Sequence, residues 1–131
     1  MKLDTLDLLG KPFKWGGRGP KSYDCYGLAM ECARRVGKRF PDQYASTPDF
    51  AKISDHVEDA SEHHLAELHK PEPFCFVTFV LFEPWVSHIG FVLADEARFI
   101  HVMAGCRVAV ERLSDPFWLA HKPQYWRAAG E

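Results

Sequence analysis

The chain has 131 residues, of which 47% are hydrophobic and 26% are charged, and this composition excludes an intrinsically disordered protein. Its 16 Lys and Arg residues are offset by 18 Asp and Glu residues, and the net charge of -2 argues against a protein that binds nucleic acid through its overall charge. A chain of this length predicts a single domain, residues 1–131.

Targeting and metal-binding signals are weak. The most apolar run, residues 74–82, is shorter than the roughly 20 residues that a membrane span requires, so we expect no membrane association. Asp4 and Asp7 lie where a secretion signal needs apolar residues, and we expect synthesis in the cytoplasm without a signal peptide. The four cysteines lack paired metal-ligand spacing, and His63 and Glu67 have no further ligand beside them, so we expect free thiols, no metal and no cofactor.

The first predicted helix begins near Cys25, directly after a Gly-rich turn at residues 15–20. Its apolar residues recur at helical spacing and form one stripe, composed of Cys25, Leu28, Ala29, Cys32, Ala33 and Val36. Ser22 or Asp24 is suited to cap the start of this helix, and Gly37 is suited to end it.

A small helical insert is predicted at about residues 41–72. A capping hydroxyl, a proline and an acid at residues 47–49 indicate a helix start, and apolar residues at helical spacing follow, namely Phe50, Ile53, Val57 and Ala60. Leu65 and Leu68 predict a second short helix after Ser61.

The remainder of the chain is strand-like. Runs rich in Phe, Val and Ile predict four strands of an antiparallel meander, at residues 74–82, 87–94, 98–103 and 107–112. The turn at residues 114–116 opens a last short helix, and a tail with Tyr125 and Trp126 closes the chain. One helix followed by an antiparallel sheet predicts an α+β fold.

Cys25 is the candidate nucleophile, because the N–H groups and the dipole of a helix N-terminus stabilise a thiolate. The same N–H groups can stabilise the oxyanion that forms when a thiolate attacks a carbonyl group. The alternative is a buried cysteine that acts as a small apolar residue. We expect that alternative for Cys32, Cys75 and Cys106, which lie inside apolar patterns.

Two histidines lie in strands that are predicted to pair. A turn of two or four residues around residues 95–96 places Gly90 opposite His101, so that His88 and His101 share one face as diagonal neighbours. The alternative is two unrelated polar residues on a half-exposed sheet. The pairing predicts a relay in which Cys25 attacks, His88 removes the thiol proton and His101 fixes the tautomer of His88.

Four segments together resemble the NlpC-type cysteine peptidases, at residues 9–17, 23–28, 87–92 and 99–102. The resemblance implies a papain-like core in which the helix with Cys25 packs against an antiparallel sheet that carries His88 and His101. It implies that these three residues are nucleophile, base and third polar residue. It also implies hydrolysis of amide bonds in peptidoglycan stem peptides, typically between D-γ-glutamyl and diaminopimelate.

The resemblance further implies a set of substrate-binding residues. Asp24 matches a position that in the family helps to recognise the free amine of the stem peptide. The other candidates adjoin the nucleophile or lie in the preceding turn, namely Phe13, Trp15, Gly16, Gly17 and Tyr26. The family usually has Tyr at Phe13 and Ser at Tyr26. A Gly-Asp pair commonly opens its first long strand, where this chain has residues 72–74, and these departures put the usual specificity in doubt.

The aromatic residue after Cys25, with the expected lack of a secretion signal and of a cell-wall-binding module, resembles the branch of the family that is encoded with phage tail genes. It implies phage tail proteins as partners and a phage particle as the route to the cell wall. Two other functions stay open. One is an inactive tail module that binds the wall, motivated by Phe13 and Tyr26, and the other is an amidase or acyltransferase on the same scaffold.

A basic cluster precedes the nucleophile, with no acid between Asp7 and Asp24, and it consists of Lys11, Lys14, Arg18 and Lys21. Positive charge there predicts attraction of substrate carboxylates and further support for a thiolate. The alternative is a solvated loop.

Overall fold

The computed structural model describes residues 2–44 and 47–129. Within those residues the helices are α1 (Cys25–Arg35), α2 (Phe50–His63) and α3 (Pro116–Leu119). The strands are β1 (Leu65–Leu68), β2 (Phe76–Phe82), β3 (Trp85–Val92), β4 (Arg98–His101), β5 (Ala109–Arg112) and β6 (Gln124–Ala128). In the described part of the chain, each helix is too short or too polar to cross a bilayer.

All six strands join one antiparallel sheet in the order β1-β6-β2-β3-β4-β5. The predicted meander is confirmed for β2 through β5. Phe91 lies opposite Ile100, and the Leu93 N–H donates to the carbonyl of Arg98 at 2.8 Å, which closes a four-residue loop. This is the register that the predicted turn implies.

The sheet is buried on both faces, and successive residues of a strand enter different apolar clusters. The cluster with Phe76 and Phe91, which we call the first cluster, also contains the buried stripe of α1. The cluster with Val77 and Val92, which we call the second cluster, contains Trp118 of α3. Because both faces are covered, these strands are apolar almost without interruption.

The second short helix predicted after Ser61 is wrong, because Leu65–Leu68 forms strand β1 at the edge of the sheet. Leu65 enters the first cluster, while Leu68 packs against the second. Residues three apart point to opposite faces of a strand, whereas a helix would bring them to one side. Both leucines are therefore covered only when the segment is extended.

The C-terminal tail, for which the sequence pattern predicted no strand, forms strand β6. β6 lies between β1 and β2, and Trp126 pairs with both Glu67 and Phe76. The indole N–H of Trp126 donates to the Thr78 hydroxyl at 2.9 Å, so a buried polar group in each of two strands is satisfied.

Helix α2 begins later than the sequence pattern suggested. Asp49, not Thr47, is its N-cap, and the Asp49 carboxylate accepts a hydrogen bond from the Lys52 N–H at 3.2 Å. The Thr47 hydroxyl instead accepts from the Asp49 N–H at 3.3 Å, and Pro48 consequently precedes the cap.

The start of α1 is held by the Gly-rich loop. Asp24 is the N-cap, as one of the two predicted alternatives, and its carboxylate accepts from the Gly27 N–H at 2.5 Å. The Asp24 N–H donates to the Gly17 carbonyl at 3.0 Å. A Cβ atom on Gly27 would lie 2.2 Å from that same carbonyl oxygen, so only glycine lets the loop approach the first turn this closely.

Replacing Gly27 by Ala is expected to lower the free energy of unfolding by about 1–3 kcal/mol, because the new Cβ collides with backbone. The intrinsic helix preference of Ala, worth about 1 kcal/mol, acts in the opposite direction. Urea denaturation measures the difference. Arg34→Ala, on the exposed side of the same helix, should change stability by no more than about 0.5 kcal/mol. A Gly27→Ala protein as stable as the wild type would contradict the close approach.

Candidate active site

A cleft lies at the N-terminus of α1, where the helix packs against β3. Cys25 and His88 both line this cleft, together with Ser87. Much of the remaining wall is aromatic, composed of Phe13, Trp15, Phe50, Phe82 and Phe117. Three of these rings, those of Trp15, Phe82 and Phe117, are exposed to solvent. The cleft therefore offers a thiol and an imidazole at its wall and apolar contacts around them.

A second and smaller pocket also reaches Cys25, on the side covered by α2. Its walls are largely apolar, and Ile53 and Val57 of α2 contribute to them. Ser87 and His88 line this pocket as well. Among the described residues, the buried hydroxyl of Ser87 has no hydrogen-bond partner within the protein.

The predicted contact between the two histidines is confirmed. Nε2 of His88 and Nδ1 of His101 lie 2.8 Å apart, and both side chains are buried. Gly90 lies between them, and a Cβ atom there would stand 2.8 Å from the ring of Phe99 and 3.4 Å from the Cβ of His101. The missing side chain is what lets these two strands and their histidines come together.

Aromatic rings hold both imidazoles in place. The rings of Phe79 and Trp118 stack on His88, with centroids 6.0 and 5.8 Å away. Trp118 meets His101 edge-on at 4.9 Å, and Phe99 lies 4.7 Å from the same ring. Burial among these rings lowers the pKa of His88 well below its usual value, and His101 disfavours a charge on His88 as well.

Burial at Cys25 acts against the thiolate that the helix start was predicted to stabilise. Burial raises the pKa of Cys25 to about 12, and the nearby charge of Asp24 acts in the same direction. The backbone N–H of Ile89 on β3 favours the thiolate, as do those of Tyr26 and Cys25 at the helix start, but their effect is smaller than that of burial.

Two of the four side chains in the basic cluster are hydrogen-bonded within the protein. Arg18 donates to Asp24 at 2.7 Å, to Asp42 at 2.9 Å and to the carbonyl of Tyr44 at 2.8 Å. Lys11 donates to the carbonyl of Pro20. Two members of the cluster therefore hold the loops around α1, while Lys14 and Lys21 are exposed.

Asp24, the candidate for amine recognition, is fully buried. One carboxylate oxygen caps α1 at Gly27, and the other accepts the hydrogen bond from Arg18. The ion pair compensates a buried charge that would otherwise be costly. Its contribution to substrate recognition stays a prediction.

The other candidate binding residues have identifiable packing roles. The Tyr26 hydroxyl donates to the carbonyl of Pro41, and its ring packs edge-on against Tyr44 with centroids 5.6 Å apart. Phe13 and Trp15 pack edge-on at 4.8 Å. The two glycines shape the turn behind Trp15, since Gly16 has a positive φ of 72° and Gly17 contacts the backbone of Lys14 and Tyr23.

Glu111 is a residue of the site that sequence reasoning missed. Its carboxylate meets Nε2 of His101, and its other oxygen accepts from the indole N–H of Trp118 at 3.1 Å. No register of β4 against β5 was predicted from the sequence, so the pattern alone did not place Glu111 beside His101. In the structure His101 lies opposite Ala109, which makes Glu111 its diagonal neighbour.

Cys32, Cys75 and Cys106 were predicted to be buried apolar residues, and this is confirmed for the first two. Cys32 and Cys75 are buried, but Cys106 is exposed in the turn between β4 and β5, so the core assignment for Cys106 is wrong. Its N–H donates to the carbonyl of Met103 at 2.9 Å, and this turn carries the side chain outward. Over residues 2–44 and 47–129, no three His, Cys, Asp or Glu side chains are grouped to hold a metal ion.

Iodoacetamide at neutral pH is expected to alkylate Cys106 before Cys25, because Cys106 is exposed, whereas Cys25 is half-buried and its pKa is raised. Mass spectrometry of the digested protein at successive times measures both rates. Cys106→Ser should remove the fast reaction and leave the slow one. A Cys25 that reacts as fast as Cys106 would show that the thiol is ionised.

The free energy of unfolding is expected to decrease as the pH falls from about 7 to about 5. Burial lowers the pKa of His88 and His101, so below about pH 6.5 the unfolded chain binds more protons than the folded one. Each of these histidines thus contributes stability that is complete above pH 6.5 and is lost below it, with a slope of at most ~1.4 kcal/mol per pH unit.

Urea denaturation at a series of pH values measures this slope. His88→Gln should reduce it, whereas replacement of the exposed His69 by Gln should not. Identical slopes in the wild type and both variants would contradict the burial of a neutral His88.

Comparison with known proteins assigns the fold and a family. The NlpC/P60 family model matches residues 10–127. The chain is 27% identical over 114 residues to the "Probable endopeptidase YafL" of Escherichia coli (strain K12). That match covers 86% of this chain but only 43% of the relative, so the chain spans less than half the length of that curated protein.

Three solved structures share the fold. An NlpC/P60 family protein from Bacillus cereus ATCC 10987 has a TM-score of 0.67 at 19% identity, over 92% of this chain and 36% of that one. A protein from Staphylococcus aureus subsp. aureus Mu50, described as similar to lipoprotein, NLP/P60 family, has a TM-score of 0.60 at 21% identity, over 92% and 38%. The NlpC/p60 domain of the peptidoglycan hydrolase SagA has a TM-score of 0.56 at 20% identity, over 89% and 87%. The predicted NlpC-type α+β core is confirmed.

Proposed function

The chain belongs to the NlpC/P60 family, and on that basis we propose that it is a cysteine peptidase that hydrolyses amide bonds in peptidoglycan stem peptides. The observation that carries the proposal is the cleft shared by Cys25 and His88, in which the far nitrogen of His88 is bonded to His101. A nucleophile, a base and a group that orients the base are the parts that acyl transfer requires.

In the proposed reaction, the sulfur of Cys25 attacks the carbonyl carbon of the scissile amide while its proton passes to Nδ1 of His88. Backbone N–H groups at the start of α1 donate to the developing oxyanion. His88 then gives the proton to the leaving nitrogen, the C–N bond breaks, and a thioester remains on Cys25. A water molecule that loses a proton to His88 attacks the thioester, and the carboxylic acid and the free thiol are released.

Burial determines when the first proton moves. Because the pKa of Cys25 is raised and that of His88 is lowered, the resting pair is a thiol beside a neutral imidazole. The proton therefore transfers during the attack, when charge develops on the substrate, instead of forming an ion pair beforehand.

Two features of the sequence motivated an inactive wall-binding module as the alternative. Phe13 packs on Trp15, and Tyr26 anchors the loop at Pro41, so both departures from the family pattern have a role in packing. Neither departure replaces a member of the relay, and we therefore favour the enzyme. An amidase or acyltransferase would use the same relay, and only its products distinguish it.

For the substrate bond, we propose the linkage between D-γ-glutamyl and diaminopimelate, on the resemblance of the motifs around Cys25. The aromatic wall, with Phe13 and Trp15 beside Cys25, supports contacts with apolar parts of the stem peptide. Asp24 is already paired with Arg18, so recognition of a free amine there would require the amine to share the carboxylate with a guanidinium group.

Digestion of purified sacculi and of defined muropeptides tests the proposal. We expect the wild type to release peptides whose masses identify a D-γ-glutamyl–diaminopimelate cleavage. Cys25→Ala should reduce the rate by at least about 1000-fold, because the nucleophile is lost, while circular dichroism shows an intact fold. Cys106→Ala, which removes an exposed thiol away from the cleft, is the matched control and should retain full activity.

Each other outcome has a distinct meaning. Sacculus binding without release of peptides by the wild type would favour the wall-binding module. Release of peptides at equal rates by the wild type and Cys25→Ala would refute the cysteine mechanism. Fragment masses that correspond to another bond would retain the enzyme class and overturn the proposed specificity.

The route to the cell wall is a separate proposal. The resemblance to the phage-tail branch rests on the aromatic residue at Tyr26, and it supports delivery by a phage particle with tail proteins as partners. Detection of the protein in purified virions by mass spectrometry would support this route, and its absence from them would contradict it.

A further inference from the structure

Nε2 of His101 faces the carboxylate of Glu111, which has no part in the proposed relay of Cys25, His88 and His101. Glu111 lies on β5, diagonal to His101, with one oxygen on Nε2 of that ring. Its second oxygen accepts from Trp118 Nε1 at 3.1 Å. The side chain of Glu111 is 38% exposed, so its charge is partly solvated and carries only part of the cost of burial.

The hydrogen bonds around this carboxylate determine the tautomers of both histidines. An ionised carboxylate only accepts, so Nε2 of His101 must carry a proton. In a neutral imidazole, Nδ1 of His101 is then an acceptor, and Nε2 of His88, 2.8 Å away, must donate to it. His88 therefore keeps its lone pair on Nδ1, the nitrogen that is left to receive the proton of Cys25.

Trp118 contacts Glu111 and both histidines. It is 2% exposed, stacks on His88 and meets His101 edge-on, so a single side chain touches both imidazoles and the carboxylate. The two groups that contact Glu111 are both donors. A carboxylate satisfies two donors, whereas an amide at this position would satisfy one and oppose the other.

We infer that Glu111 is a positioning residue that acts through His101, and that with Trp118 it sets the tautomer in which His88 can accept a proton. The inference rests on the proposed function for its kinetic consequence. The tautomers of His88 and His101 can be measured without substrate. They therefore test the inference even if the protein does not cleave peptidoglycan.

The imidazole ¹⁵N shifts of His88 and His101 test the inference directly, with His88→Gln and His101→Gln used for assignment. In the wild type at neutral pH we expect both rings to be protonated at Nε2 and unprotonated at Nδ1. Glu111→Gln should shift both rings toward the Nδ1-protonated form, since the amide NH₂ can donate to Nε2 of His101. Glu111→Asp, which keeps the charge, should restore the wild-type tautomers at least in part.

Kinetics on the muropeptide that the wild type cleaves provide the second readout. Glu111→Gln should lower kcat by about 10- to 100-fold with little change in KM, as expected for a group that orients the base and does not touch substrate. Trp118→Phe keeps the ring and removes the N–H, and it should produce a smaller loss in kcat. Glu67→Gln makes the same chemical change at an exposed strand position and should have no effect.

The outcomes separate the inference from the proposed function. Unchanged tautomers in Glu111→Gln would overturn the inference, even if kcat fell, because the loss would then reflect the fold. The expected tautomers in a wild-type protein that cleaves no muropeptide would support the positioning role and refute the proposed function. Wild-type kcat in Glu111→Gln, measured on an active enzyme, would also overturn the inference.

Discussion

The antiparallel register of β3 against β4 is the constraint on which the site depends. Phe91 lies opposite Ile100, and this pairing brings His88 and His101 to the same face at hydrogen-bond distance. A slip of one residue would turn His101 away and exchange the residues of β4 between the two apolar clusters. Because both faces of the sheet are buried, such a slip is costly, and the packing of the core thereby protects the geometry of the relay.

Burial also sets the charge state of the site. Aromatic rings surround the imidazoles, and Cys25 lies at the junction of α1 and β3, so burial raises the pKa of the Cys25 thiol and lowers that of His88. Charge is confined to groups with defined partners, as in the Arg18–Asp24 pair and the carboxylate of Glu111. In the proposed reaction, the N–H groups at the start of α1 act mainly where charge appears on the substrate, which is where preorganised dipoles are most effective.

The position of Cys25 depends on the close approach of the Gly-rich loop to the first turn of α1. The Gly17 carbonyl lies against Gly27, and Asp24 bonds both to the loop and to the first turn of α1. The Phe13–Trp15 pair, which lines the cleft, lies where this loop begins in the chain. The segment that places Cys25 therefore also shapes the apolar wall beside it.

Local signals in the sequence determined α1, narrowed its cap to Ser22 or Asp24, and indicated the β3–β4 turn and hence the contact of His88 with His101, because each depends on neighbouring residues or on the parity of one short loop. Tertiary structure alone decided the strands β1 and β6, which pair with each other across the length of the chain. It also decided the contact of Glu111 with His101, because that contact depends on the register of β4 against β5. The raised pKa of Cys25 arises in the same way, because the cost of burying a thiolate depends on what packs around it, and here it exceeds the effect of the helix start.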